Sequence, residues 1–316
     1  MEIFGANMRV RLLSLTILFA WIGVTSAADI SRSFDVEPGG TLDIDSDVGS
    51  IEVTPGADDK VTLEVDLSGP DADKLEIDFE QTSRGVRVKG RLRDNGNRHR
   101  SYTLKARFRV QVPARYDVRL DTTGGGIEVG DLQGEVRADT AGGSISVGRV
   151  KGPVRADTAG GSIEVESSQE DVDADTAGGS IRLGEMGGRV RADTAGGSIR
   201  IDRSLGHVKA STAGGSIKIR GASESVDAST SGGGVSVTFV GQPSKDSTLS
   251  TSGGNVTAIL AGDLRFDIRA RSGSRVRSEF DLEDERIDED RLDGRLNGGG
   301  PRLRLDSSGP VRIERR

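Results

Sequence analysis

The chain has 316 residues, a net charge of −7, 45 glycines, 3% aromatic residues and no cysteine. It is long enough to bury a real core, yet that core cannot lean on aromatic rings or, in an exported protein, on disulfides. A stock of Gly with Val, Ile and Ala points to thin sheets and tight turns.

The first element in chain order is a targeting segment. Arg9 and Arg11 precede the apolar run Leu12 to Val24, and "TSAA" follows, with Thr25 and Ala27 suited to the −3 and −1 sites of a signal peptidase. The run is shorter than the ~20 residues a membrane-spanning helix needs. Residues 1–27 therefore read as a cleaved secretory signal. This predicts export, to the periplasm or to the cell surface. No cysteine follows to carry a lipid.

Residues 28–115 read as an N-terminal β region with a basic hairpin. From Arg84 to Arg109 there are ten Arg and Lys against one acid, Asp94. "GVRVKGRLR" alternates Val86, Val88 and Leu92 with Arg87, Lys89, Arg91 and Arg93. "SYTLKARFRVQV" alternates Leu104, Ala106, Phe108 and Val110 with Lys105, Arg107 and Arg109. Period two is the mark of a strand with one buried face. "DNGNRHR" between them reads as the hairpin loop. Paired, these strands would set one face almost wholly basic and create a directed field.

Residues 116–260 hold a repeat. "DTAGGSI" begins at Asp139, Asp157, Asp175 and Asp193, and "STAGGSI" at Ser211. One 18-residue copy runs from Val136 to Pro153. Successive copies align Val136, Val154, Val172, Val190, Val208 and Val226; Ala138 with Ala156 and Ala174; Ile145 with Ile163 and Ile181. Polar residues alternate with them, so each copy holds two short strands, and "TAGG" turns between them. The glycine pair suits a turn that needs positive φ. A parallel β-solenoid explains the matched columns better than a meander. Stacked coils bury like on like, so each coil needs its neighbour's side-chain volumes. "DTTGGGIEV" from Asp121 is a first copy and "STSGGNVTA" from Ser250 a late one displaced by an insertion, while "DSDVGSIEV" from Asp45 and "DSSGPVRI" from Asp306 are worn relatives. Residues 261–316 read as a C-terminal β region with an acidic loop, Asp281 to Gly294, and a cap.

"PGGTLDIDSDVGSIEV", "VPARYDVRLDTTGGGIEV", the "TAGGSI" coils and "LNGGGPRLRLDSSGPVRI" resemble a bacterial family of repeated β-strand proteins labelled putative adhesins. The resemblance covers almost all of the chain after the leader. It implies an all-β solenoid and a surface interaction, and it names no active site. Pro310 stands where the resemblance implies an acidic residue.

Two sets of residues are candidates for function. Arg87, Lys89, Arg91, Arg93, Lys105, Arg107 and Arg109 form a candidate surface for an anionic partner, a glycan or lipid headgroup of the envelope. Arg137, Asp139, Arg155, Asp157, Asp173, Asp175, Arg191 and Asp193 form a charge ladder, in which Arg beside Asp offsets the repulsion between stacked carboxylates. Asp173 interrupts the Arg column beside Asp175. The spacing excludes a calcium solenoid, because Ile145 and Ser146 stand where that motif needs Gly and Asp. His99 and His207 have no partner at metal or triad spacing. No cofactor, metal or catalytic residue is expected. Nucleic acid is disfavoured by export and by the lack of outward aromatics. The expected function is a non-enzymatic envelope interaction scaffold. The alternatives are a structural component that self-associates or docks on a membrane protein and, least favoured, a carbohydrate-active enzyme.

Overall fold

The computed structural model of the protein describes residues 28–93 and 102–316. The expected leader, the segment "DNGNRHR" and His99 lie outside the described residues. Among the described residues, two sheets of 14 and 15 strands face each other across one core. Each 18-residue copy gives one strand to each sheet, as in Val136–Thr140 and Ile145–Val150.

Copies stack in parallel and in register. Val136 lies beside Val154, Val154 beside Val172, and so on through Val190, Val208 and Val226. On the opposite sheet Ile145, Ile163, Ile181, Ile199 and Ile217 stack likewise. The fold is the expected β-solenoid, with like side chains piled at the interstrand spacing of about 4.8 Å. The Val and Ala columns of one wall and the Ile and Val columns of the other are buried. Small residues opposite larger ones fill a narrow two-walled interior. Aromatic side chains enter it toward the ends, with Phe108 and Tyr116 at one and the edge-to-face pair Phe239 and Phe266 at the other.

The third inward position is threonine. Thr140, Thr158, Thr176, Thr194, Thr212 and Thr230 are buried. Each hydroxyl donates to a glycine carbonyl of the coil before, as Thr158 does to Gly143 at 2.7 Å. It also accepts from the backbone N–H three residues on, as from Gly161 at 3.3 Å. Burial of these hydroxyls is satisfied within the wall.

The repeat glycines have a different cause from the one expected. Positive φ occurs at Gly125 in the first copy, but not in the later glycine pairs. The second glycine of each pair is instead fixed by the turn beneath it. A Cβ on Gly161 would lie 2.0 Å from the Gly143 oxygen, whereas one on Gly160 would sit 3.5 Å from its nearest neighbour. Close approach of stacked turns, not left-handed backbone, selects the residue.

Both ends of the rod depart from chain order. Thr41–Ser46 lies between Gly85–Leu92 and Asp117–Thr122, parallel to both. Ser50–Pro55 likewise lies between Lys105–Val112 and Ile127–Val129. At the other end Arg302–Ser307 inserts between Ser247–Thr251 and Phe266–Ser272. Val311–Arg315 pairs with Val256–Leu260 and Val276–Ser278, so Pro310 does not prevent the last strand. Antiparallel strands cover the flanks: Leu75–Thr82, Lys60–Ser68 and Ala28–Asp35 at one end, Arg291–Leu296 and Glu283–Ile287 at the other.

Two expectations are thereby corrected. The basic strands Gly85–Leu92 and Lys105–Val112 do not form a hairpin, because they belong to different sheets. The first pairs with Thr41–Ser46 and Leu75–Thr82, the second with Ser50–Pro55 and Lys60–Ser68. The acidic run is not simply a loop either. Glu283–Ile287 is a fully exposed edge strand, and its charges guard an open sheet edge.

Candidate functional site

In Val136–Thr140 and its equivalents, Val, Ala and Thr point inward, so only two positions face out. Stacking turns them into two adjacent columns. One reads Arg119, Arg137, Arg155, Asp173, Arg191 and Lys209. The other reads Asp45, Asp121, Asp139, Asp157, Asp175 and Asp193, six aspartates in unbroken register. It continues as Ser211, Ser229 and Ser250 and ends beside Asp306.

The ladder residues lie on one outer face, and two of its aspartates, Asp157 and Asp193, pair with the arginine of their own strand. Arg155 donates to Asp157 at 2.9 Å, and Arg191 lies 2.9 Å from Asp193 and 3.7 Å from Asp173. Arg137 turns away from Asp139 to Glu135. The carboxylates respond accordingly. Partial burial, then the charge of Asp157, raises Asp139 to about 6. Asp175 is also raised, by burial and then by Asp193 and Asp157. Asp121 is raised by burial and by Asp45, whereas the hydrogen bond from Arg91 holds Asp45 below the usual carboxylate range. Sequence reading omitted Asp45, Asp121 and Arg119 from this surface. The signal was present in "DSDVGSIEV" and "DTTGGGIEV", which carry the same leading aspartate.

The seven basic residues of the other candidate set are divided between the two outer faces. On one, Arg87, Lys89 and Arg91 are flanked in register by Glu80, Asp78 and Glu76. Arg87 reaches Asp43 at 3.2 Å and Glu80 at 3.4 Å; Arg91 pairs with Asp45 and with Asp47 at 3.3 Å; Arg93 pairs with Glu76. On the other face Arg109 meets Asp66 at 2.8 Å and Glu64 at 3.4 Å. Arg107 stands beside Asp66 and Ser50, and Lys105 beside Ser68. The continuous basic face read from the sequence is thus an alternation of cations and acids, because the partner strands supply carboxylates at matching positions.

Among the described residues no group of His, Cys, Asp or Glu is arranged to hold a metal ion. His207 bonds through Nδ1 to the Ser225 hydroxyl at 2.8 Å, and its Nε2 lies 3.8 Å from Asp227. No helix among the described residues is long and apolar enough to cross a membrane.

Comparison with solved structures finds a putative adhesin from Bacteroides fragilis at 14% identity, covering 92% of this chain and 99% of that one, with a TM-score of 0.37. A putative adhesin from Parabacteroides distasonis is 12% identical over 92% and 98% of the two chains, with a TM-score of 0.35. A putative lipid binding protein from the same organism is 13% identical over 90% and 96%, with a TM-score of 0.35. No curated protein gives a significant match. The sequence profile of the Toastrack DUF4097 family matches residues 40–300, most of the rod just described. The stacked 18-residue coils are repeats within that match, and the chain belongs to the Toastrack DUF4097 family.

Proposed function

We propose that the protein is an exported, non-enzymatic scaffold that makes contacts at the bacterial envelope or cell surface, and that it does so through the charged outer face of the aspartate-bearing sheet. The observation that carries this reading is the unbroken aspartate column beside a column of cations that Asp173 interrupts, because a regular array of exposed charge suits an extended partner. The leader read over residues 1–27 supports export. The two basic strands lie in different sheets, and Arg87, Arg91, Arg93 and Arg109 each meet carboxylates of neighbouring strands, so Arg87 to Arg109 do not supply one continuous cationic contact.

The test is fractionation of cells producing the tagged protein, followed by binding of purified protein lacking residues 1–27 to isolated envelopes in rising salt. Recovery outside the cytoplasm and binding that weakens with salt are expected. Cytoplasmic retention, or no association with envelopes at low salt, refutes the proposal.

A further inference from the structure

Beside the aspartate column runs a groove of about 530 Å³, lined by Arg137, Arg155, Arg189, Arg191, His207 and Lys209, with Glu135, Asp171 and Asp173 among them. Five of these residues are permanent cations against three carboxylates. Arg137 and Arg155 lie one interstrand spacing of about 4.8 Å apart, as do Arg191 and Lys209, with Asp173 between the two pairs; one such spacing is close to the length of one pyranose residue in an extended chain. The cations lie in single file, and the aspartates lie next to them. A bilayer would bring its anionic headgroups over both columns, so the aspartates would repel it. A linear polyanion can follow one column alone.

The aspartates compete for the same cations. Arg155 and Arg191 are held by Asp157 and Asp193 through ion pairs whose arginine side chains are 59% and 55% exposed. Such pairs contribute little, so a ligand carboxylate can displace them. Asp139 faces Arg137 on its own strand, Asp121 and Arg119 on one neighbour, and Asp157 and Arg155 on the other. Asp175 faces Asp173, then Asp157 and Arg155, and Asp193 and Arg191. Each therefore sits between carboxylates, and a proton taken up there removes negative charge from beside the groove.

Resting on the reading of an envelope contact, we infer that this face binds a linear, carboxylate-bearing glycan along Arg137, Arg155, Arg191 and Lys209, and that the aspartate column tightens the binding as pH falls. Uronate carboxylates stay ionised at mildly acidic pH, so the ligand keeps its charge while the ladder loses some. Asp139, raised to about 6, places that loss in the mildly acidic range, and burial with the charges of Asp193 and Asp157 raises Asp175 in the same direction.

The experiment measures binding of the purified protein to polygalacturonate, and to vesicles of phosphatidylcholine with phosphatidylglycerol, from about pH 7.5 to about pH 5.5. Polygalacturonate binding is expected to tighten roughly ten-fold over that interval, with weaker binding to vesicles. The double variant Arg155→Gln/Arg191→Gln is expected to lose at least about ten-fold at both ends of the range. Asp139→Asn/Asp175→Asn is expected to bind at the higher pH as the parent binds at the lower, with little further pH response. His207→Gln must keep the response, which separates the imidazole from the aspartates. Arg87→Gln/Arg91→Gln is the control and binds as the parent does. Circular dichroism verifies folding, and Lys209→Gln replaces the double arginine variant should it misfold. Unchanged binding by the arginine variants, a preference for vesicles, or an unaltered pH response in the aspartate variant each overturns the proposal. Envelope association that persists in the arginine variant refutes this groove while leaving the envelope reading intact. Glycan binding without envelope association does the reverse.

Discussion

The hydroxyl of Thr158 donates to the carbonyl of Gly143 at 2.7 Å, fifteen residues earlier in the chain, and accepts from the N–H of Gly161 at 3.3 Å. One side chain thus ties the turn of its own coil to the turn of the coil before. Replacing Thr158 by Val keeps the shape and leaves a carbonyl and an N–H without their side-chain partner. The expected cost is about 1–2 kcal/mol in denaturant unfolding. Thr158→Ser retains the donor and should recover most of it, apart from the lost methyl. Equal losses in the two variants would assign the effect to packing and not to the hydrogen bonds.

The glycine pair gives a sharper test, because its two members differ in surroundings while sharing a sequence. Gly161→Ala drives a methyl into the Gly143 carbonyl, where an ideal Cβ lies 2.0 Å from the oxygen. The turns must separate, at an expected cost of about 2–3 kcal/mol. Gly160→Ala meets its nearest atom at 3.5 Å and should change stability by no more than about 0.5 kcal/mol. Thermal or denaturant melts of the two variants decide the matter; similar losses at both positions would restore left-handed backbone as the reason for the pair.

Those two tests also mark what could be read from the sequence. The columns of Val, Ala and Ile were legible because stacking in register demands repeated volumes, and repetition is visible in letters. The reason for Gly161 was not, since positive φ and close approach select the same residue. Nor was the pairing of Gly85–Leu92. Its alternation fits an antiparallel hairpin or a parallel rung equally well, and the choice depends on Thr41–Ser46, some forty residues earlier, arriving between it and the repeat. The misreading of the basic surface follows directly. Arg87 and Arg91 looked unopposed because Asp43, Asp45 and Asp47 are remote in sequence and adjacent only in the sheet.

The aspartate column makes stability depend on pH in a direction opposite to ordinary acid loss. Asp139, raised to about 6, holds its proton in the folded state over a range where the unfolded chain has released it. Between about pH 4 and about pH 6 the folded state binds more protons, so stability falls as pH rises through that window. Screening of this half-exposed carboxyl leaves an effect of about 1 kcal/mol. Asp139→Asn should therefore stabilise the protein by about that amount at neutral pH and by little near pH 4. Asp131 and Asp171 work the other way. The side chain of Arg149 lowers the first, and the backbone N–H of Arg189 lowers the second. Their contribution is lost only as pH falls below the ordinary carboxylate range. Melting temperature followed against pH checks both signs, and a variant that tracks the parent at every pH would remove Asp139 from the account.

The last prediction concerns the open edge formed by Glu283–Ile287, where every residue is exposed and four of the five are charged. An edge strand offers unpaired backbone groups to any other chain, and charge is a common defence. Replacing Glu285 and Arg286 with Val removes two of those charges next to the already exposed Ile287. The rod itself should fold as before, because none of these side chains enters the core. Concentration-dependent self-association is expected, seen as light scattering that grows with protein concentration while the unfolding midpoint of dilute protein stays within about 0.5 kcal/mol of the parent. A variant that stays monomeric at high concentration would mean that the twist and short length of this edge protect it without help from its charges.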